Sequence, residues 1–73
     1  MIKEIYVTTI DSEPVYSADT KEKAIDYAIR DMKNKNFPKK QIKLAEGDLA
    51  IGIEVILNYV SYRVDKIIYS EGE

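Results

Sequence analysis

The 73-residue chain contains neither histidine nor cysteine, the side chains that most often act as general base, nucleophile or soft metal ligand. Its four serines fall in expected turns or at strand ends, where serine is common for conformational reasons. The three glycines are isolated from one another, so no glycine-rich phosphate-binding pattern occurs. A serine–lysine pair or a carboxylate pair is formally available for catalysis. The composition nevertheless favours a protein that is not an enzyme and that uses no cofactor.

Two acidic pairs are the only pattern that suggests a metal. Asp11 with Glu13, and Glu46 with Asp48, lie in segments that read as turns, and their carboxylates are the hard oxygen ligands that calcium prefers. Acidic residues are also ordinary turn formers that remain solvated. We favour the second interpretation, so no metal site is predicted.

Positive charge is concentrated in residues 33–43 (KNKNFPKKQIK), which hold five lysines and no acid. The rest of the chain has six basic and 13 acidic residues, so it carries a charge of −7 around a positive segment. Such a segment is suited to contact phosphates or an acidic protein surface. It contains no arginine, and its one aromatic residue, Phe37, is also suited to closing the core. The candidate binding residues here are Lys33, Lys35, Lys39, Lys40 and Lys43.

Six tyrosines are many for a chain with one phenylalanine and no tryptophan. Tyrosine is enriched in protein interfaces because it combines apolar area with a hydrogen-bonding tip, and it is also favoured in strands. Tyr59 and Tyr62 flank the last expected turn. We therefore expect these two to be exposed and to contact a partner.

An amphipathic helix over residues 19–37 is the element around which these side chains must be arranged. Asp19 with Glu22 has the form of a capping box, Thr20 is an alternative cap, and Pro38 prevents the helix from continuing. Asp31 and Lys35 form an acid-first pair at i, i+4. The apolar stripe of this helix consists of Ala24, Ile25, Ala28, Ile29 and Met32.

The remaining segments read as strands, which gives a β-β-α-β-β-β order with one helix packed on one face of an antiparallel sheet. The segment 49–57 alternates strictly, and it is also compatible with a helical stripe. Gly52 and the many isoleucines favour a strand there. A helix over residues 49–60 would instead give the order β-β-α-α-β. The expected strands cover residues 1–10, 15–17, 41–45, 49–57 and 62–70.

The length fits one α+β domain over residues 1–73. The absence of cysteine, of a long apolar run and of a signal-peptide pattern favours a cytoplasmic protein without membrane contact. One helix covers only one face of the expected sheet, while residues 51–56 supply apolar side chains for both. The other face is therefore expected to contact a protein partner or a second copy of the chain.

Residues 5–11 (IYVTTID), 15–29 (VYSADTKEKAIDYAI) and 62–70 (YRVDKIIYS) together resemble small single-domain proteins of phages and mobile elements in low-GC bacteria. The shared outline is an initial strand, a short second strand, a helix that starts T-K-E-K-A-I and a closing Y-x-V-x-K-I strand. Several proteins of this kind inhibit host defence, including anti-CRISPR proteins. The resemblance implies an inhibitor acting in the host cytoplasm, and it identifies no functional residue.

The function predicted from the sequence is therefore a non-catalytic protein-binding module, most like a phage-type inhibitor of a host defence protein. Two alternatives are a nucleic-acid accessory protein that uses residues 33–43, and a structural protein that assembles with copies of itself.

Overall fold

The structure, a computed structural model, describes the backbone of residues 2–70 and the side chains of residues 3–68. It forms one four-stranded antiparallel sheet with strand order β2-β1-β4-β3, and two helices pack on one face of that sheet. The α+β class is confirmed, whereas the expected order and the single covering helix are wrong. A second helix replaces the strand expected at residues 41–45 and the start of the strand expected at residues 49–57. The elements are β1 (Ile2–Ile10), β2 (Glu13–Ala18), α1 (Lys21–Asn34), α2 (Lys39–Ala50), β3 (Val55–Leu57) and β4 (Val60–Ser70).

Two tight hairpins join the strands at the same end of the sheet. Asp11 and Ser12 connect β1 to β2, and Asn58 and Tyr59 connect β3 to β4. All four have positive φ values, the conformation of a type I′ turn. The Asp11 amide donates to the Ser61 carbonyl at 2.9 Å, and the Ser61 amide donates to Asp11 Oδ1 at 3.1 Å. These bonds hold the two turns side by side.

Helix α1 lies where the sequence predicts it, although it is shorter than residues 19–37. Thr20 is the N-cap, and its hydroxyl accepts a hydrogen bond from the Lys23 amide at 3.2 Å. The whole predicted apolar stripe is buried in the core. The buried Thr8 hydroxyl on β1 donates to the Ala24 carbonyl at 2.6 Å, so a hydrogen bond also joins the helix to the sheet.

Helix α2 corrects the strands expected at residues 41–45 and 49–57. Ile42, Ala45 and Leu49 fall at i, i+3 and i+7, and all three are buried. The expected turn at residues 46–48 lies inside this helix, and only Val55–Leu57 remains a strand. The alternative helix over residues 49–60 is not observed either, because α2 ends at Ala50.

Gly52 explains why the local pattern was misleading. In the sequence a glycine at this position disfavours a helix, but the φ of 85° places Gly52 in the left-handed conformation just after the C-cap of α2. The Gly52 amide donates to the Leu49 carbonyl and the Ile53 amide to the Asp48 carbonyl, as in a Schellman motif. Asn36, with a φ of 62°, ends α1 in the same way. Gly52 therefore marks the end of a helix.

The core lies between the helices and one face of the sheet. The strands contribute Thr8, Tyr62, Val64 and Val55, and Phe37 packs against the core from the connection between the helices. The opposite face carries the neighbouring residues along each strand, including the cross-strand pair Ile5 and Ile67. No element among the described residues covers that face. Of the residues 51–56 that we expected to share both faces, Val55 enters the core, Ile56 is exposed on β3, and Ile51 and Ile53 lie in the connection after α2.

Candidate functional site

A cleft of about 550 Å³ lies between α1 and α2. It brings together three of the five lysines that the sequence singled out. Helix α1 supplies one of them and α2 supplies the other two. Its lining residues are Ile29, Lys33, Asn36, Phe37, Lys39, Ile42, Lys43 and Glu46.

The cleft has an apolar floor and a basic rim. Ile29 and Ile42 are each only 9% exposed, and Phe37 is half-buried, so these side chains form the floor. Lys33, Lys39 and Lys43 are exposed around it. No acidic side chain within residues 3–68 forms an ion pair with any of the three lysines. Glu46 is the one acidic residue in the lining, so with the three lysines the lining carries a net charge of 3 − 1 = +2. The rim therefore presents net positive charge beside a surface that an apolar side chain can contact.

The start of α2 adds to this positive charge. Its N-cap is Pro38, which makes no side-chain cap, and its first turn contains no acidic residue. Lys39 and Lys40 occupy that turn instead, although the positive end of the helix dipole favours acids there. This arrangement disfavours the helix and favours a bound anion.

Lys35 does not line the cleft, and its side chain instead contacts residues that hold the fold together. Its ammonium group pairs with Asp31, and it lies 5.6 Å from the centre of the Tyr62 ring. The Tyr62 hydroxyl donates to Asp31 Oδ2 at 2.7 Å. Burial opposes ionisation of Asp31, but hydrogen bonds from Lys35 and Tyr62 keep the pKa of this carboxyl below its usual value. The three side chains tie the last turn of α1 to β4.

Lys40 does not line the cleft. It lines a second groove, also of about 550 Å³, with Lys43, Leu44, Gly47 and Asp48. Leu44 is 71% exposed, so this side of α2 also presents apolar surface. Lys43 borders both grooves, which makes the N-terminal half of α2 the basic surface of the helix layer.

The two tyrosines that the sequence predicts to be exposed differ in their exposure to solvent. Tyr59 is 96% exposed at the tip of the β3–β4 turn, as expected. The expectation for Tyr62 is wrong, because its side chain is completely buried under the helices. The alternation of β4 explains the difference: Tyr62 and Val64 share the core face, and the turn residue Tyr59 belongs to neither face.

Tyr16 and Tyr27 form a stacked pair that the sequence did not indicate. Their ring centroids are 4.6 Å apart and their planes differ by 8°. Tyr16 belongs to the edge strand β2 and Tyr27 to α1, and both remain more than a third exposed. Nothing in the local sequence links these positions, because the contact depends on how the helix packs over the hairpin.

Two further kinds of feature were sought in the described part of the chain, a metal-binding group and a membrane-spanning helix. Within residues 2–70 no three histidine, cysteine or acidic side chains gather where they could hold a metal. Asp11, one of the acids considered for calcium, uses its carboxylate to hold the Ser61 amide. Among the described helices, none is both long and apolar enough to cross a membrane.

No protein-family model, curated protein or solved structure matches this chain.

Proposed function

We propose that the chain is a non-catalytic protein-binding module that holds an acidic segment of its partner in the cleft between α1 and α2. The observation that carries this proposal is the basic rim of Lys33, Lys39 and Lys43 around the apolar floor of the cleft. A segment that combines carboxylates with one or two apolar side chains complements both parts of this surface.

The phage-type resemblance supplies a biological role for such a module. A small protein that covers an acidic surface of a host defence protein, in the host cytoplasm, would inhibit it without any chemistry of its own. Tyr59 supports a binding role, because a fully exposed tyrosine at a turn is the kind of side chain that anchors an interface. The Asp11–Ser61 bonds and the contact of Tyr62 with Asp31 place this turn at the same end of the molecule as the exit of α1.

A nucleic-acid accessory role is the second candidate, and the basic start of α2 is the observation in its favour. Phosphates would be attracted by Lys39, Lys40 and Lys43. The acidic charge on the rest of the chain opposes a long nucleic acid. The apolar floor also has no counterpart on a phosphate backbone, so we rank an acidic protein segment first.

Affinity capture with matched variants tests this function. The bait proteins are the wild-type chain, a cleft variant with Lys39→Glu and Lys43→Glu, and a control with Lys23→Glu and Arg30→Glu. Both variants change the net charge equally on helix surfaces, but Lys23 and Arg30 do not line the cleft.

We expect host proteins that the wild-type chain and the control retain and the cleft variant loses. These proteins should still be retained after nuclease treatment. Equal retention by both variants would contradict the cleft as the binding site. Loss of the captured proteins on nuclease treatment would favour the nucleic-acid role.

A further inference from the structure

The open edge of β4 is a second interaction surface, separate from the cleft. Strand β3 has only three residues and pairs with Val60–Tyr62 of β4. Beyond that point, no strand in residues 2–70 pairs with β4 on the side away from β1. Within residues 63–70, every second residue therefore presents its unpaired backbone N–H and C=O to an added strand, while the residues between them bond to β1.

The other edge of the sheet, formed by β2, is protected against pairing with a strand of another molecule, whereas the edge of β4 is not. The outer strand β2 contains Pro14 and an irregularity in its register opposite Thr8 and Thr9. Proline and bulges are devices that prevent strands from pairing edge to edge. Along β4, residues 63–70 contain neither proline nor glycine and follow a regular register with β1.

The same part of the sheet is a two-stranded ribbon that the helices leave uncovered. Strand β2 starts to pair with β1 only at Tyr6, so residues 2–5 and 67–70 pair only with each other among the described strands. Ile67 and Ile68, on opposite faces of this ribbon, are 44% and 58% exposed. A two-stranded ribbon with exposed apolar residues is marginal in water and gains by extension into a wider sheet.

We propose that a second copy of the chain pairs with this edge, β4 antiparallel to β4, about a two-fold axis at Ile67. The axis is perpendicular to the sheet, so it places each residue opposite one of the same face. Ile67 then lies opposite itself, Lys66 opposite Ile68 of the other copy, and Val64 opposite Ser70. The two copies form one eight-stranded sheet with all helices on one face.

The charges of the opposed side chains and the length of the β4 edge that is used favour this register over the alternatives. An axis at Asp65 or Lys66 would oppose two identical charges. An axis at Arg63 or Val64 would bring the added strand to the place that β3 occupies. An axis at Ile68 would use a shorter part of the edge. Only the axis at Ile67 uses nearly all of residues 63–70, joins apolar residues at the centre and leaves β3 in place. The helices contact β4 at Tyr62 and Val64, away from the axis.

The mass of the intact protein in solution, measured by light scattering over a concentration series, tests this proposal. We expect a dimer that Ile67→Lys weakens by about tenfold, because two lysines then meet at the axis. Ile56→Lys is the matched control, since Ile56 is equally an exposed isoleucine on that face of the sheet but lies on β3. Circular dichroism establishes that each variant is folded.

Disulfide trapping tests the register independently, because the native chain has no cysteine. Ile67→Cys should cross-link two copies under mild oxidation, since directly opposed side chains in antiparallel strands lie within reach of a disulfide. Ile56→Cys should not. A wild-type chain that is monomeric at every concentration would overturn the proposal. So would a dimer that both lysine variants weaken equally, or equal cross-linking of the two cysteine variants.

Discussion

The Tyr62 hydroxyl donates a 2.7 Å hydrogen bond to Asp31 Oδ2 and so joins the central strand β4 to the last turn of α1. Lys35 completes the group by pairing with the same carboxylate. This contact fixes the end of α1 from which the chain turns into α2. It therefore positions the two helices whose facing sides form the cleft.

Tyr62→Phe removes this hydrogen bond while keeping the buried ring. We expect the free energy of unfolding to fall by about 1 to 2 kcal/mol, because a bond to a charged acceptor is lost. Urea unfolding measures the change. Tyr27→Phe is a suitable control, since the Tyr27 hydroxyl makes no hydrogen bond with the described residues. An equal fall in the free energy of unfolding in both variants would mean that the hydrogen bond to Asp31 does not stabilise the fold.

The same contact predicts how stability depends on pH. Burial and the hydrogen bond to Asp31 raise the pKa of Tyr62 above its usual value of 10.0, so the folded state keeps a proton that the unfolded chain loses. The free energy of unfolding should therefore fall as the pH rises above 10, and less steeply in Tyr62→Phe. The pKa of Asp31 is lowered from 3.8, so its contribution is present above about pH 4 and is lost as the pH falls further. Urea unfolding over a pH series, with Asp31→Asn for the acid arm, measures both slopes.

Replacing glycine by alanine should have opposite effects on the stability of the fold at two positions, one inside α2 and one just after it. Gly47 lies inside the helix with open space around the position of a Cβ atom, so Gly47→Ala should stabilise the protein by about 0.5 to 1 kcal/mol. Gly52 has a φ of 85°, so Gly52→Ala should destabilise it by about 1 kcal/mol. Thermal unfolding of the two variants measures both signs. If residues 49–57 formed a strand, this pair of signs would not be observed.

Tyr59 occupies a backbone conformation that suits glycine better. Its φ is 70° in a type I′ turn, where Asn-Gly is the preferred sequence and the native chain has Asn58 followed by Tyr59. Tyr59→Gly should therefore stabilise the fold by about 1 kcal/mol. If Tyr59 contacts the partner, the same variant should bind it less tightly. Thermal unfolding and binding to a captured partner measure the two effects, and a variant that is more stable and binds normally would remove Tyr59 from the interface.

A substitution at Lys39 should likewise stabilise the fold while it weakens binding in the cleft. Replacing it by glutamate places an acid in the first turn of α2, where the helix dipole favours one, and should stabilise the fold by about 0.3 to 1 kcal/mol. Lys40→Glu makes the same change in the same turn and should stabilise it similarly. Chemical unfolding measures both variants. Destabilisation by Lys39→Glu would show that the lysine serves the fold and not a ligand.

Helix α1 was predictable because five apolar residues at helical spacing outweigh every competing signal in that segment. Helix α2 was not, because its stripe has only Ile42, Ala45 and Leu49, while residues 49–57 alternate as a strand does. Gly52 gave a local signal that fits two structures, a weakened helix interior or a helix end. The packing of α2 against α1 and β3 decides between them, and that information is not local.

The candidate site was predictable as a charged segment but not as a cleft. The sequence places five lysines within residues 33–43, and it gives no indication that Lys35 is held by Asp31 and Tyr62. The cleft exists because α2 folds back beside α1, so Ile29 and Ile42 meet under the lysines only in the tertiary structure. The sequence predicts the start of β4 at residue 62, two residues later than in the structure, and so predicts Tyr62 beside the turn. β4 begins at Val60, which puts Tyr62 on the core face of the strand.

An NMR titration of the isotopically labelled protein at low salt tests the central claim most directly. The probe is a synthetic peptide of glutamates and leucines, and single-stranded DNA of equal charge is the comparison. We predict peptide-induced shifts at Ile29, Phe37 and Ile42, with affinity reduced about tenfold in a Lys39→Glu, Lys43→Glu variant and less in Lys40→Glu. The DNA should bind more weakly and leave the floor residues unshifted. Shifts scattered over the surface, or an affinity that the cleft variant leaves unchanged, would contradict the account.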